Sequence, residues 1–333
     1  MSQATPDHRT SLDILVDDGD LRITRRPGRT DRCVVSFSGV GLNMGGLGEV
    51  QREEFGRSAG EAGDATLIFV MDKRRSWMNA VQDRILQTLA PELQGVDRVT
   101  TLGNSMGGFA AIYFAPLLAN CRRAIAFSPQ FSVNPKFMPR EEKRWAQFRE
   151  AIAEHVIGHA FDQPSDAVDY WLFFGIGKRQ DQAHIASFAR ARPPQAHLVC
   201  LDDGGHEVAQ VMRIAGALTP VVGRLLDPAP VPEGEIEALL ARHGLEPTTA
   251  DTAIARREER ERARFQKWKD SKAQRREQKI AERAAALVPE AAAEEPADAK
   301  ARLREERKAQ KKAEKQRTRV AGGPLQPVAS AAE

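Results

Sequence analysis

Gly103-Asn104-Ser105-Met106-Gly107-Gly108 is the stretch on which the reading of this chain turns. It has the spacing G-x-S-x-G. A β-branched run, Val96-Asp97-Arg98-Val99-Thr100-Thr101-Leu102, leads into it, and a helical pattern from Gly107 to about Leu118 leads out. A serine at a sharp strand-to-helix turn sits in a strained backbone conformation. Residues two positions away on either side must then lack side chains that would collide. The helix that follows aims its free amides and the positive end of its dipole at the same spot, where negative charge on an oxygen would be stabilised. Ser105 is therefore the candidate nucleophile, with Asn104 beside it as a candidate pocket residue.

The segments around the motif alternate between two periods. Apolar runs at Cys33–Ser38, Thr66–Met71, Val96–Leu102, Ala124–Ser128, Tyr170–Phe174 and His197–Leu201 read as strands. Several are almost continuously apolar, as expected of strands covered on both faces of a parallel sheet. Between them lie helical patterns. Trp77, Val81, Ile85 and Leu89 step by four and predict a helix over Ser76–Ala90, and Val208, Val211, Met212, Ala215 and Leu218 mark another. This alternation predicts an α/β fold with a doubly wound, mostly parallel sheet. Residues 1–30 supply an N-terminal hairpin turning at Asp18-Gly19, and 31–226 form the main domain. The long connection of about 130–168, with a helix near Glu141–His155, reads as a small cap.

A nucleophilic serine needs a base and an acid that orients it, in the chain order Ser, Asp or Glu, His. His206 follows the last apolar strand in Cys200-Leu-Asp-Asp-Gly-Gly-His-Glu, where Gly204 and Gly205 let the loop fold back over the sheet edge. It is the candidate base. Asp181 follows the penultimate strand and is the candidate acid, and it also suits a helix start. Asp202 and Asp203 are rivals, too close in sequence to approach the imidazole from behind. The glycine-rich Ser36-Phe-Ser-Gly-Val-Gly-Leu-Asn-Met-Gly-Gly follows the first strand of the main domain. It predicts an oxyanion hole made by the amides of Val40 and Met106. As a phosphate loop it lacks the G-x-x-x-x-G-K-[ST] and G-x-G-x-x-G spacings. Asp72 and Trp77, just past a strand's carboxyl end, are candidates to line the pocket, or else a helix cap and a core aromatic.

The GNSMGG turn, the SFSGVG loop, Asp181 and His206 together resemble the α/β-hydrolase superfamily over roughly residues 30–226. The stretches Phe127-Ser-Pro-Gln and Asp72-Lys-Arg-Arg-Ser-Trp resemble bacterial hydrolases found alongside glycosyltransferase and surface-polysaccharide genes. Ser38-Gly39 departs from the His-Gly usual in lipases and esterases. The resemblance implies attack by Ser105 on an acyl ester, small or glycan-linked, through an acyl-enzyme. It implies no metal or organic cofactor. A transferase, thioesterase or peptidase would use the same residues.

The rest of the composition bounds the remainder. The chain has 333 residues, long enough for one full domain and an appendage. Cys33, Cys121 and Cys200 are odd in number and scattered, with no C-x-x-C, and read as buried reduced thiols rather than a disulfide framework or zinc site. The N-terminus shows no basic-then-apolar leader, and no apolar run approaches the roughly 18 residues of a membrane span, so a cytoplasmic location is expected. Residues 227–249 read as a proline-rich linker with a short helix. Residues 250–333 form a tail of Ala, Arg, Glu, Lys and Gln with 22 Lys+Arg against 15 Asp+Glu, on a chain whose net charge is +3. The tail is expected to be a solvated helix, a coiled coil or disordered. Its basic pairs, Arg256-Arg257, Arg275-Arg276 and Lys311-Lys312, offer an anionic partner such as RNA, DNA or lipid something to hold, although acids are interleaved. That makes a binding protein acting through its tail the alternative to an enzyme.

Overall fold

The computed structural model describes residues 12–41, 51–61, 63–138, 145–177, 179–202, 204–287 and 297–320. The chain divides into two compact units, 1–261 and 262–333.

The first unit is built on one nine-stranded sheet. Its strands are β1 (Asp13–Asp17), β2 (Leu21–Arg26), β3 (Arg32–Phe37), β4 (Thr66–Asp72), β5 (Arg98–Asn104), β6 (Cys121–Phe127), β7 (Asp169–Gly175), β8 (Ala196–Leu201) and β9 (Pro247–Thr249). Their spatial order is β1-β2-β4-β3-β5-β6-β7-β8-β9. Strands β3 to β8 are mutually parallel, while β2 and β9 run against their neighbours. The carboxyl ends of β3, β5, β7 and β8 thus open on one edge, where loops from a parallel sheet gather functional groups. This is the fold of the α/β hydrolases, as the resemblance implies.

Helices cover both faces because the central strands are apolar on both sides. On one face α2 (Gln82–Glu92), α3 (Met106–Phe114) and α5 (Arg179–Ala191) pack with Phe37, Ile85, Phe109, Phe114, Tyr170 and Phe188. On the other, α1 (Gly56–Glu61), α6 (Val208–Ile214), α7 (Leu218–Leu226) and α8 (Glu235–Arg242) pack with Phe69, Phe127, Phe173, Val222 and Leu240. The three cysteines are buried and free, and burial pushes each thiol up to about 12.

Three local expectations are corrected. The helix expected over 76–90 begins only at Gln82. The Asp72 carboxylate takes the amides of Arg74, Ser76 and Met78 and the Ser76 hydroxyl, which holds 74–78 in turns. Positive φ at Arg75, Trp77 and Met78 records the cost of that arrangement. In the cap, residues 141–144 lie outside the described residues. The described part is helical only in α4 (Ala146–Glu150). Beyond it the chain turns to seat Ile157 and Phe161 in the core, and Asn79 Oδ1 accepts the Ile157 amide at 2.9 Å. Residues 227–249, read as linker and helix, are built into the body. Ile236 and Leu240 are fully buried, and β9 extends the sheet beside β8.

Two long helices close the chain, α9 (Ala250–Leu287) and α10 (Ala297–Val320). Ala250 and Ala253 are buried against the first unit's core, whereas the described side chains from 258 onward are almost all exposed. Among the described residues no helix is long and apolar enough to cross a membrane.

Docking of α8 makes a measurable difference. Leu240→Ala is expected to cost about 2–5 kcal/mol in denaturant unfolding, as for other buried leucines. A loss under about 0.5 kcal/mol, typical of surface sites, would return this segment to a linker.

Candidate active site

Ser105 lies between β5 and α3 with φ 57° and ψ −119°. That backbone is sparsely populated by non-glycine residues and costs on the order of 1–3 kcal/mol. Three contacts hold it there. The Ser105 amide donates to Phe127 O at the end of β6 (2.8 Å), and its carbonyl accepts from the Phe109 amide (2.9 Å). The flanking glycines allow the third, a close backbone approach. A Cβ on Gly103 would stand 2.1 Å from Gly107 O, and one on Gly107 would stand 2.0 Å from Phe37 O on β3. Any side chain at either position would push α3 off the sheet.

The other two predicted residues arrive from β7 and β8. His206 Nε2 is 2.7 Å from Ser105 Oγ, and His206 Nδ1 is 2.9 Å from Asp181 Oδ1. All three side chains are buried. Asp181 sits in the first turn of α5. A second glycine contact sets its position relative to His206. The Gly177 amide donates to Gly204 O (2.8 Å) and the Ile176 amide to Leu201 O (3.0 Å). A Cβ on Gly175 would lie 2.5 Å from Gly205 O, and one on Gly177 would lie 2.1 Å from Gly204 O. The acid loop and the base loop therefore touch backbone to backbone. The rival Asp202 instead pairs with Arg256, and Asp203 lies outside the described residues.

The loop after β3 is held by groups that sequence reading did not single out. Gln51 Nε2 donates to Gly39 O (2.8 Å), Arg75 Nε donates to Val40 O (2.8 Å), and Ser38 Oγ donates to Arg52 O (2.8 Å). The Gly39 amide donates to the Glu54 carboxyl. A peptide is planar and trans, so a carbonyl and the next amide point in opposite directions. Fixing Gly39 C=O on Gln51 therefore fixes the direction of the Val40 N–H. The Met106 amide, at the first position of α3, has no acceptor inside its own helix. The remainder of the predicted loop, Asn43 to Gly46 among it, lies outside the described residues.

Glu54 is the unusual charge here. The residue keeps some surface, but its Oε2 is enclosed and has no hydrogen-bond partner among the described residues. Burial pushes its carboxyl up to about 8 against the pull of the Gly39 amide. From the cap, the Trp145 ring stands beside His206, ring centroids 6.1 Å apart and planes tilted by 52°.

Asp72 and Trp77, the candidates for the pocket wall, present no surface. Burial raises the Asp72 carboxyl, its hydrogen bonds all go to the 74–78 turn, and Trp77 Nε1 donates to Gln130 Oε1 (2.6 Å). Both are packing groups. Asn104 is buried, its carbonyl against Gly39. A cleft of about 500 Å³ lies to one side, lined by Asp17, Arg22, Gln51, Glu53, Lys73 and Arg75. It meets the site only through Gln51 and Arg75, not through the triad. Among the described residues no group of three His, Cys, Asp or Glu is arranged to hold a metal ion.

No protein-family model matches the sequence, and no curated protein does. Solved structures of similar fold include the 2,6-dihydroxy-pseudo-oxynicotine hydrolase, at 15% identity and a TM-score of 0.49, covering 67% of this chain and 71% of that one. An esterase of Pyrococcus furiosus is similar at 15% identity and 0.43, covering 68% and 94%. The bottromycin epimerase BotH is similar at 16% identity and 0.42, covering 65% and 98%. Likeness at this level names no substrate and no reaction.

Two outcomes are expected. Gly107→Ala should cost about 3 kcal/mol or more, at the upper end of overpacking. Gly19→Ala, with nothing within 4 Å, should stay within about 0.5 kcal/mol; comparable losses at both positions would contradict the close approach. Glu54, ordinarily near 4.5 and raised to about 8 in the fold, favours the protonated folded state. It therefore withdraws stability as pH rises from about 4.5, where the unfolded chain ionises, to about 8, where the folded carboxyl ionises as well. Glu54→Gln should flatten that decline in thermal melts between pH 5 and 9, and an unchanged pH profile would contradict the shift.

Proposed function

We propose that the chain is a serine hydrolase that cleaves carboxylic esters through Ser105, His206 and Asp181. The observation that carries this reading is the buried hydrogen-bonded chain from Asp181 Oδ1 through the His206 imidazole to Ser105 Oγ. Asp181 accepts the Nδ1 proton and so selects the tautomer whose Nε2 lone pair faces the serine. His206 takes the Oγ proton as Ser105 attacks the acyl carbon. The tetrahedral oxyanion is met by the amides of Met106 and Val40, whose direction is already set by the helix start and by Gln51. Collapse expels the alcohol with the proton that His206 returns. Water, deprotonated by the same imidazole, then opens the acyl-enzyme.

Burial of the triad excludes bulk water from the imidazole, which strengthens each charge interaction. The substrate in this reading is a small acyl group presented on an alcohol or a sugar. Transfer to a second alcohol, or cleavage of a thioester or amide, would differ only in the leaving group and the acceptor.

A fluorophosphonate probe should label wild type and not Ser105→Ala. Hydrolysis of p-nitrophenyl esters from acetate to octanoate should vanish in Ser105→Ala. It should fall by about 10⁴ in kcat for Asp181→Asn, as when a triad loses its correct tautomer. Labelling that persists in Ser105→Ala, or full activity in Asp181→Asn, would reject the assignment.

A further inference from the structure

The basic and acidic residues that alternate along 262–283 separate once the segment is wound as α9. At 100° per residue, Arg264, Phe265, Trp268, Lys269, Lys272, Arg275, Arg276, Lys279 and Arg283 fall within about 140° of the helix circumference, with the exposed Ile280 just past its edge. Asp270 and Glu277 fall on the opposite side, and Asp270 Oδ1 is engaged there by Gln266 (2.9 Å). Glu282 stands on the edge of the stripe, at the same angle as Arg264. Seven cations thus line about 28 Å of one helical face. All are exposed, and among the described residues none is paired with a carboxylate.

Two aromatic rings stand inside the stripe. Phe265 and Trp268 are 56% and 55% exposed. They stack on each other with centroids 5.8 Å apart and planes at 19°. Lys269 and Lys272 ride over them at 4.8 and 4.9 Å. Those i,i+3 and i,i+4 contacts are local, and the helix buries neither ring, so a large aromatic surface is left in water. A helix lying in a membrane interface needs a continuous apolar face. Here the neighbours of both rings on the stripe are cations, while Ala263, Ala273 and Ala281 lie off it.

We infer that this face of α9 binds single-stranded nucleic acid. The cations would track the phosphates, and the paired rings would give unpaired bases a stacking surface. Duplex hides its base faces and would use only the charges. The binding carries no base code, because a ring face accepts any base. It is independent of the chemistry at Ser105.

The test is anisotropy of fluorescein-labelled 20-mers of uridine RNA and thymidine DNA, titrated with the full chain between 50 and 300 mM KCl. Both strands should bind, with log K falling linearly against log salt at a slope approaching about −5 if all seven cations engage phosphate. A preference for one strand identifies RNA or DNA as the partner. Trp268→Ala should weaken single-strand binding about tenfold and leave a 20-bp duplex unaffected. Arg276→Glu with Lys279→Glu should abolish binding. Lys267→Glu with Gln274→Glu and Gln278→Glu, an equal change of charge on the other face, should largely spare it. Circular dichroism and Ser105 labelling should be unchanged in every variant. Equal loss from both faces would reduce the effect to net charge and overturn the assignment. So would absence of binding at 50 mM KCl, or binding confined to phosphatidylserine vesicles.

Discussion

Three backbones meet at the end of β5 with no room for a side chain between them. Gly107 lies against Phe37 O, Gly103 against Gly107 O, and the Ser105 amide is tied to Phe127 O. These contacts hold Ser105 at a φ of 57° that its own chemistry resists. The strain of one residue is outweighed because β3, β5, β6 and α3 all pack around it. The same closeness places the start of α3 beside the carboxyl end of β3, so the helix amide and the loop amide share one small space.

A second backbone contact of the same kind lies two strands away. Gly175 and Gly177 lie so close to Gly204 and Gly205 that the loops carrying Asp181 and His206 touch backbone to backbone. The distances among Ser105, His206 and Asp181 therefore depend less on the three side chains than on two glycine contacts behind them. Around this frame the polar groups divide into two kinds. Gln51, Arg75 and Asp72 satisfy backbone groups and hold turns. Glu54 is a carboxyl that burial pushes up to about 8 beside the Gly39 amide, in the loop after β3.

The second unit obeys different physics. The first buries aromatic and branched side chains on both sides of a sheet. Residues 262–284 bury almost nothing, and the helix there rests on good helix formers and local contacts. Freed from packing, its side chains are arranged only by the 3.6-residue period. That period turns an alternating string of charges into a basic face bearing two rings and an acidic side.

The sequence by itself determined the features that depend on neighbours along the chain. The glycines around Ser105, the continuous apolar strands and the stepping of Ile85 and Leu89 are local requirements of turn, sheet and helix, and they led to the α/β sheet. The order Ser105, Asp181, His206 likewise led to three side chains that do meet. What only tertiary structure decided was the company each residue keeps across long separations. Asp72 reads as a pocket group from its place at a strand end, but its carboxylate is consumed by the turn that follows. Nothing local marks Gln51, Glu54 or Arg75 as supports of the loop after β3, because their partners lie 12 to 35 residues away and meet them only after β3 and β4 pair. Pro247-Thr-Thr shows no strand pattern at three residues, yet β8 supplies the hydrogen-bonding edge that makes it one. Hydrophobic period and turn chemistry are written locally, whereas long-range contacts depend on the closing of loops, which no short window of sequence contains.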